Sequence, residues 1–504
     1  MSGSSILHST LLLTGADLTL RSVSLLFQAH LADIVGAAGI GKMQLIMTAG
    51  GFAMTLGSAG VRVASMNLTA QKCGENDPAG MKKAILACMA WGLCFSCMAA
   101  GLLFLLSPVI ASHFVKDTDV VPAIRLLAIF LPCGCTFSVL SGYFTARGQV
   151  RTLVIIETAE RIASIAVTLL LLRFWAGGSL SRSLCAVIGG SSFCTALSLI
   201  PLLILLQKQL RNIPPKPRPI LRQLTGLCIP LALSDYLRSG LSATEQFLIP
   251  HGLRRSGRGY ESAMADYGTV SGMVFPVMMF PAAVFYALSD LLVPELSRCR
   301  VQGRMRRARY IVGRSLRVGF LFSSVIAGAM YLLAEPLCKV LYDSEAAGKY
   351  LQAFAPMILM LYSDALTDGM LKGLGEQVAS VRFNTLTAAM DVVFLWLLLP
   401  KFGMGGFYFT FALSHGINFA LSIRHLGKVT GFTPHAAHAA KTLLLAVFAL
   451  LAASRICPPA PAIPSMLLSA LVFFALFFLA ASLTGQLRKE DLLLFLPQRK
   501  KVSA

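Results

Sequence analysis

The stretch ADLTLRSVSLLFQAHLADIVG, residues 16–36, decides how the chain is read, because it sets Arg21 inside an apolar run long enough to cross a membrane. An arginine near the bilayer centre costs at least about 2.5–3.5 kcal/mol on insertion scales, so it faces a bundle interior or a watery cavity rather than lipid. On a helix, Asp17, Arg21 and Gln28 fall at offsets of four and seven and draw one polar stripe down one face. The chain repeats the arrangement in LALSDYLRSGLSATEQFLIP, residues 231–250. There Leu237, Arg238 and Ser239 copy Leu20, Arg21 and Ser22, and Glu245 stands seven after Arg238 as Gln28 stands seven after Arg21. Matched helices with matched polarity predict two half-proteins facing each other across a hydrophilic cavity.

Composition sets the class. Of 504 residues, 56% are hydrophobic and 13% charged, with a mean hydropathy of +0.71, whereas about a quarter of residues are charged in soluble domains. Runs of about 20 apolar residues, many containing Gly or Pro, recur along nearly the whole length, as in a polytopic helical membrane protein. The alternation of a membrane β-barrel is absent. No Lys or Arg precedes Arg21 and no small-residue cleavage site follows the first apolar run, so no removed signal peptide is expected.

The net charge of +21 suggests nucleic acid until its placement is considered. Lys and Arg gather in the even-numbered loops and the C-terminal tail, the asymmetry of a cytoplasmic face, which predicts a cell-membrane protein with both termini cytoplasmic. The cluster Arg298, Arg300, Arg304, Arg306, Arg307 and Arg309 reads as a topology determinant touching anionic lipid head groups, not as a nucleic-acid site. The 12 cysteines show no metal spacing across loops. Cys94 and Cys97 form a C-x-x-C inside the apolar run MAWGLCFSCMAAGLLFLL, where they read as small hydrophobes. His435 and His438 have no carboxylate nearby. No metal and no cofactor is expected.

Fourteen spans fit between residues 8 and 484, and no segment outside them is long enough for a separate catalytic core. The chain is therefore not expected to be an enzyme, and no catalytic residue is assigned. The linker RNIPPKPRPILRQ, with Pro214, Pro215, Pro217 and Pro219, forbids a continuous helix after the sixth span. A second sign of duplication pairs SGYFTARGQV (141–150) with TDGMLKGLGEQ (367–377), setting Gly148 against Gly375. The helices that follow end in Arg173, Phe174, Gly177, Gly178 and in Lys401, Phe402, Gly405, Gly406. Six spans separate the copies, so the repeats are parallel, with a substrate site expected at their interface. The expected division is an N-terminal lobe over 1–212, a C-terminal lobe over 213–432, and two further helices with a cytoplasmic tail over 433–504. Pro276, Pro281 and Pro294 predict a broken eighth span.

The polar residues inside spans are the candidate site. For cargo these are Arg21, Arg62, Arg238, Gln28 and Glu245; for a coupling ion they are Asp364, Asp368, Glu157 and Asp235. Glu160, Arg161, Asn384 and Asp391 belong to the same constellation, and Glu157 aligns with Asn384 through the Gly148 to Gly375 pairing. Arginine suits a phosphate-bearing cargo because its fork donates two parallel hydrogen bonds to phosphate oxygens. The carboxylates suit a coupling proton or sodium ion.

Three runs carry a family resemblance: FPAAVFYALSDLLVPELSR (280–298) with the basic loop and GRSLRVG (313–319) behind it, SDALTDGMLKGLGEQ (363–377), and SGYFTARGQV (141–150). With these the chain resembles the stage V sporulation protein B family. That family is a branch of the multidrug, oligosaccharidyl-lipid and polysaccharide exporter superfamily that also contains the lipid II flippases and the MATE exporters. The resemblance implies an all-α membrane fold of about fourteen helices, with two six-helix lobes in a V and two extra C-terminal helices. It also implies a cationic central cavity and flipping of an undecaprenyl-linked sugar precursor, for peptidoglycan, spore cortex or polysaccharide, by alternating access. The partner expected is a lipid-linked oligosaccharide or lipid II-like molecule. An ion-coupled exporter of cationic drugs, in which the carboxylates meet the cargo, and a non-transporting scaffold for wall synthesis are the alternatives.

Overall fold

The computed structural model describes the backbone of residues 3–58, 60–213, 221–434 and 436–486, with side chains from Thr19 onward. The Asp17 side chain, the proline linker and His435 lie outside the described residues. Among those described there is no strand. The helices are α1 (Gly3–Ser58), α2 (Val61–Gly74), α3 (Pro78–Val109), α4 (Val121–Ala146), α5 (Val150–Phe174), α6 (Leu180–Leu210), α7 (Leu221–Arg255), α8 (Tyr260–Gly268) and α9 (Phe275–Met279). They continue with α10 (Ala282–Val301), α11 (Met305–Tyr342), α12 (Glu345–Phe354), α13 (Ile358–Gly373), α14 (Gln377–Phe402), α15 (Met404–Thr430), α16 (Ala436–Ile456) and α17 (Ile463–Leu483).

Among the described residues, eight helical stretches are long and apolar enough to cross a membrane, and the bent pair Tyr260–Met279 with Ala282–Val301 makes nine. α1 adds a tenth, because its 56 residues are broken at Gly36, where φ 71° and ψ 170° form a backbone state open essentially to glycine alone. Four more helical stretches, α5, α7, α12 with α13, and α15, bring the count to the expected fourteen. These four are more polar than the rest, carrying Glu157, Arg238, Asp364 and His415. A charged side chain in a span is tolerated against protein or water, so the less apolar helices are the ones that build the site.

The sequence expected a loop between spans at 8–35 and 43–68. Instead one glycine separates them, and the second span ends at Ser58. The chain turns at Gly60 (φ 71°) before α2, and a Cβ there would sit 2.9 Å from the Cys228 carbonyl of α7. Apolar periodicity does not register a single residue in a left-handed state. The proline-rich eighth span is broken as expected: a π-helical turn over Thr269–Val274 leads into α9, and the axis bends by 56° before α10.

The two glycines paired in the sequence both stop helices, by a pattern that recurs at Gly303 and Gly485. At the end of α4, Arg147, Gly148 and Gln149 donate to the carbonyls of Tyr143, Thr145 and Phe144 at 3.1, 3.0 and 2.9 Å. At the end of α13, Leu374, Gly375 and Glu376 donate to Met370, Lys372 and Leu371 at 3.0, 3.0 and 2.8 Å. Both glycines have φ 72°, the left-handed helix stop that a Cβ disfavours. The second pairing does not hold: Gly177 and Gly178 form the turn after α5, but Gly405 and Gly406 are helical within α15, and Gly403 (φ 55°) makes the turn.

The chain forms two compact units. The first comprises residues 1–33, 255–258 and 266–504, and the second 34–254 and 259–265. In the second, Val61, Leu68, Ile85, Val139, Tyr143, Phe144 and Leu202 form a dry core shared by α2, α3, α4 and α6. In the first, α16 and α17 pack on α11 through Phe473, Phe477, Ala449 and Val325, and a Cβ on Gly328 would meet Phe473 at 2.5 Å. The last two helices are thus seated by a specific close approach. Large apolar side chains such as Leu105, Leu444 and Leu471 are exposed, as the hydrocarbon around a membrane protein requires.

Candidate functional site

In the second unit, α7 is held to α1 by Tyr236, whose hydroxyl donates to the Leu56 carbonyl at 3.0 Å, and by Ser239, which donates to Thr55 Oγ1 at 3.1 Å. Between them Arg238 is 71% exposed, and its pairing with Asp235 one turn earlier is a loose 3.5 Å. An exposed pair of this kind contributes under about 1 kcal/mol, so the guanidinium can exchange this partner for a ligand. Asp235, expected as an ion ligand, is the counter-charge of Arg238. Glu245 is half-buried two turns along the same helix. Arg62 on α2 is exposed and is the first cationic neighbour of Glu157 on α5, with Arg161 the second. A residue read as cargo-binding thus lies within electrostatic reach of one read as ion-binding. Glu160 accepts from Thr195 Oγ1 at 2.8 Å.

In the first unit Arg21 is half-buried. Gln28, two turns on, donates from Nε2 to the Gly272 carbonyl at 3.1 Å, inside the π-helical turn. A π turn displaces the helical ladder, and here a side chain from the first span bonds one of its carbonyls. Gln28 therefore ties the first span to the broken eighth.

The densest polar network joins α13, α14 and α15. Asp364 Oδ2 lies 2.9 Å from His415 Nδ1, with the carboxylate only 13% exposed. Asp368 accepts from Asn384 Nδ2 at 3.2 Å and from Ser380, and pairs with Lys372 at 3.0 Å. Asn418 Nδ2 donates to Asn384 Oδ1 at 3.1 Å and neighbours Asp364, so the two carboxylates are ends of one chain of polar groups. Asp391 lies against Ser414 and within electrostatic reach of His415. The sequence singled out Asp364, Asp368, Asn384 and Asp391 but missed His415 and Asn418. Their signal was present, two polar residues three apart in the apolar run FYFTFALSHGINFALS, without a carboxylate near in sequence to mark it.

The sequence also missed Lys42. It is nine-tenths buried and held by Asp117 at 3.0 Å and Glu261 at 3.1 Å, with the Tyr260 ring 5.8 Å from its ammonium. Tyr260 donates to the Val115 carbonyl, and a Cβ on Gly41 would sit 2.4 Å from the Met264 carbonyl. Residues 259–265 are thereby clasped against α1 and the α3–α4 connection.

A chain of fourteen helical spans, the most polar of which carry buried or half-buried charged side chains, has the all-α membrane fold shared by MATE exporters and lipid II flippases. Residues 6–234 match the family model described as polysaccharide biosynthesis protein, and residues 257–397 match the MatE model. The chain is 22% identical to stage V sporulation protein B of Bacillus subtilis over 417 residues, covering 81% of this chain and 80% of that one. It is 21% identical to sporulation protein YkvU of the same organism, over 47% of this chain and 55% of that one. Among solved structures it is similar to the inward closed lipid II flippase MurJ, with a TM-score of 0.74 at 12% identity over 94% of this chain and 98% of that one. It is also similar to an inward-facing MATE multidrug transporter, with a TM-score of 0.59 at 14% identity over 83% and 96%.

Proposed function

We propose that the protein is a flippase that moves an anionic, undecaprenyl-linked sugar precursor across the cell membrane by alternating access, and that it makes and breaks no covalent bond. The observation that carries this reading is the reach of the fold. The likeness to the lipid II flippase extends over 94% of the chain, whereas the multidrug transporter accounts for 83%. The relationship to stage V sporulation protein B and the polysaccharide-biosynthesis model over the first half point the same way. The physical task is to carry a sugar diphosphate through hydrocarbon, and a polar cleft does this while the lipid tail stays in the bilayer.

In this reading Arg21 and Arg238, with Gln28 and Glu245 seven residues on from them and with Arg62, hold the cargo head group, and a proton or sodium ion bound among the acids drives the cycle. The duplicated halves, 1–212 and 213–432, are the moving lobes; the helices of 433–504 are an addition, and both termini are cytoplasmic. The test is transport by the purified protein in proteoliposomes, comparing a fluorescent undecaprenyl diphosphate sugar with the cationic dye ethidium. Movement of the lipid without the dye is expected. Movement of the dye alone would establish the MATE-type exporter instead.

A further inference from the structure

Between residues 298 and 317 stand eight arginines and no lysine. A positive face that only orients a chain in the membrane counts Lys and Arg alike, and the turn into α3, six spans earlier, does use lysines. There Lys72 pairs with Glu75 at 2.6 Å, and Lys82 and Lys83 follow in the first turns of the helix. That turn is closed on itself, because Asp77 caps α3 by accepting from the Gly80 amide at 3.0 Å. The turn into α11 holds no carboxylate, and no side chain caps the helix. Gln302, Gly303 and Arg304 reverse the chain within three residues, with Gly303 at φ 66°, so the arginines that end α10 and those that begin α11 come to one tip.

Few acids serve this tip. Glu295 takes Arg307 at 2.6 Å and Glu376 takes Arg300 at a loose 3.5 Å, while Arg309 donates from Nε to the Thr430 carbonyl at 3.0 Å. Among the described residues no carboxylate pairs with Arg298, Arg304 or Arg306, and all three are exposed. The basic stripe then enters the span. Arg306, Tyr310, Gly313 and Arg317 recur at offsets of four, seven and eleven, one face of α11 that descends about 16 Å from the tip. Tyr310 is 57% exposed and Val301, beside Arg300, is 85% exposed. An aromatic ring and an apolar side chain next to charge suit the boundary between head groups and hydrocarbon better than open water. A Cβ on Gly313 would meet the Phe432 ring at 3.0 Å, so the α15–α16 connection walls the stripe on one side.

We propose that the α10–α11 tip, centred on Arg304 and Arg306, is a binding site for the phosphate of an anionic phospholipid in the leaflet on the arginine-rich side, and that this lipid is not the cargo. A phosphodiester at the interface offers two unesterified oxygens. A guanidinium fork meets them with two parallel hydrogen bonds, whereas an ammonium acts on them only as a point charge. That difference is what an all-arginine tip supplies and a lysine-bearing turn does not. The acyl chains lie along Tyr310 and the outer side of α11, and the bound phosphate ties the end of the broken eighth span to the start of the ninth. The site stands whatever the protein carries.

The test titrates the purified full chain in detergent with phosphatidylglycerol, with phosphatidylcholine and with inorganic phosphate, reading bound lipid by native mass spectrometry and the melting temperature alongside. A ligand of the native state stabilises it by mass action, so phosphatidylglycerol is expected to remain bound and to raise the melting temperature by several degrees, and the other two are not. The decisive variant keeps the charge. Arg304→Lys with Arg306→Lys leaves the orientation signal intact and should weaken phosphatidylglycerol binding about fivefold or more through loss of the fork; Arg304→Gln with Arg306→Gln should abolish it. Unchanged binding in the lysine variant overturns the proposal and leaves the cluster a topology determinant, even if the glutamine variant fails to insert. Equal binding of phosphatidylcholine overturns it as well, and stabilisation by inorganic phosphate that matches phosphatidylglycerol assigns the tip to a free anion instead of a lipid. No cargo is present in these titrations, so their failure leaves the flippase reading standing, and a protein that binds phosphatidylglycerol at this tip but moves no lipid-linked sugar does the reverse.

Discussion

At the scale of single residues, Arg21 and Arg238 carry the cargo hypothesis. Two forks complement a diphosphate, and a lysine keeps the charge while losing the bidentate geometry. Arg21→Lys and Arg238→Lys should each slow lipid flipping several-fold, and alanine at either position about tenfold or more, with expression retained. Stability separates this from misfolding. The Arg238 side chain is 71% exposed beside Asp235, so Arg238→Ala should cost under about 1 kcal/mol; if both alanine variants flip lipid like the parent, neither arginine holds the head group. Lys42 behaves oppositely. It is buried against two carboxylates, Asp117 at 19% side-chain exposure and Glu261 at 68%, and losing one member of a buried pair typically costs about 3–5 kcal/mol. Because Glu261 is open to solvent, Lys42→Met should cost near the lower figure, about 3 kcal/mol, in denaturant unfolding, with Asp117→Asn close behind. A shift under about 1 kcal/mol for both would show that the clasp contributes no stability.

At the scale of elements, close helix approach is the organising device. On α13, a Cβ at Gly369 would stand 1.8 Å from Ser289 Oγ and 3.0 Å from its Cβ, while Ser289 itself donates to the Ala365 carbonyl at 3.0 Å. Gly369→Ala should therefore destabilise the protein by about 1–3 kcal/mol through overpacking, and adding Ser289→Ala should restore part of it in thermal melts. No recovery in the double variant would mean that the backbone, not the hydroxyl, sets the spacing. Such a contact was not legible in the sequence, since nothing in TDGML names the helix it touches. The same limit hid His415 and Lys42, whose partners lie 51, 75 and 219 residues away. What could be read was local: the i,i+4 spacing of Asp368 and Lys372 that becomes an ion pair, and the prolines that break the eighth span.

At the scale of the whole molecule, hydropathy made most of the fourteen spans readable because hydrocarbon demands about 20 apolar residues per span regardless of tertiary detail. Where a span bends or stops at one glycine, as at Gly36 and Gly60, that signal is silent. The loop charges also make orientation testable. With the native cysteines replaced, Ala346→Cys, just past the end of α11, should react with a membrane-impermeant thiol reagent from outside, and Gln302→Cys in the arginine-rich loop only after the membrane is opened. Ala346 is chosen over Ser344 because the Ser344 side chain caps α12 by accepting from the Ala347 amide at 3.2 Å. Labelling of both from the same side would refute the assigned topology.

The helix stops at Gly148, Gly303, Gly375 and Gly485 share one pattern of donors and acceptors, with φ of 72°, 66°, 72° and 67°. Each stop spends the last carbonyls of its helix on amides of the turn that follows, so those oxygens ask for neither water nor a side chain. A helix that ends in this way can stop close to the hydrocarbon and reverse within a few residues, without a long polar loop to solvate its end.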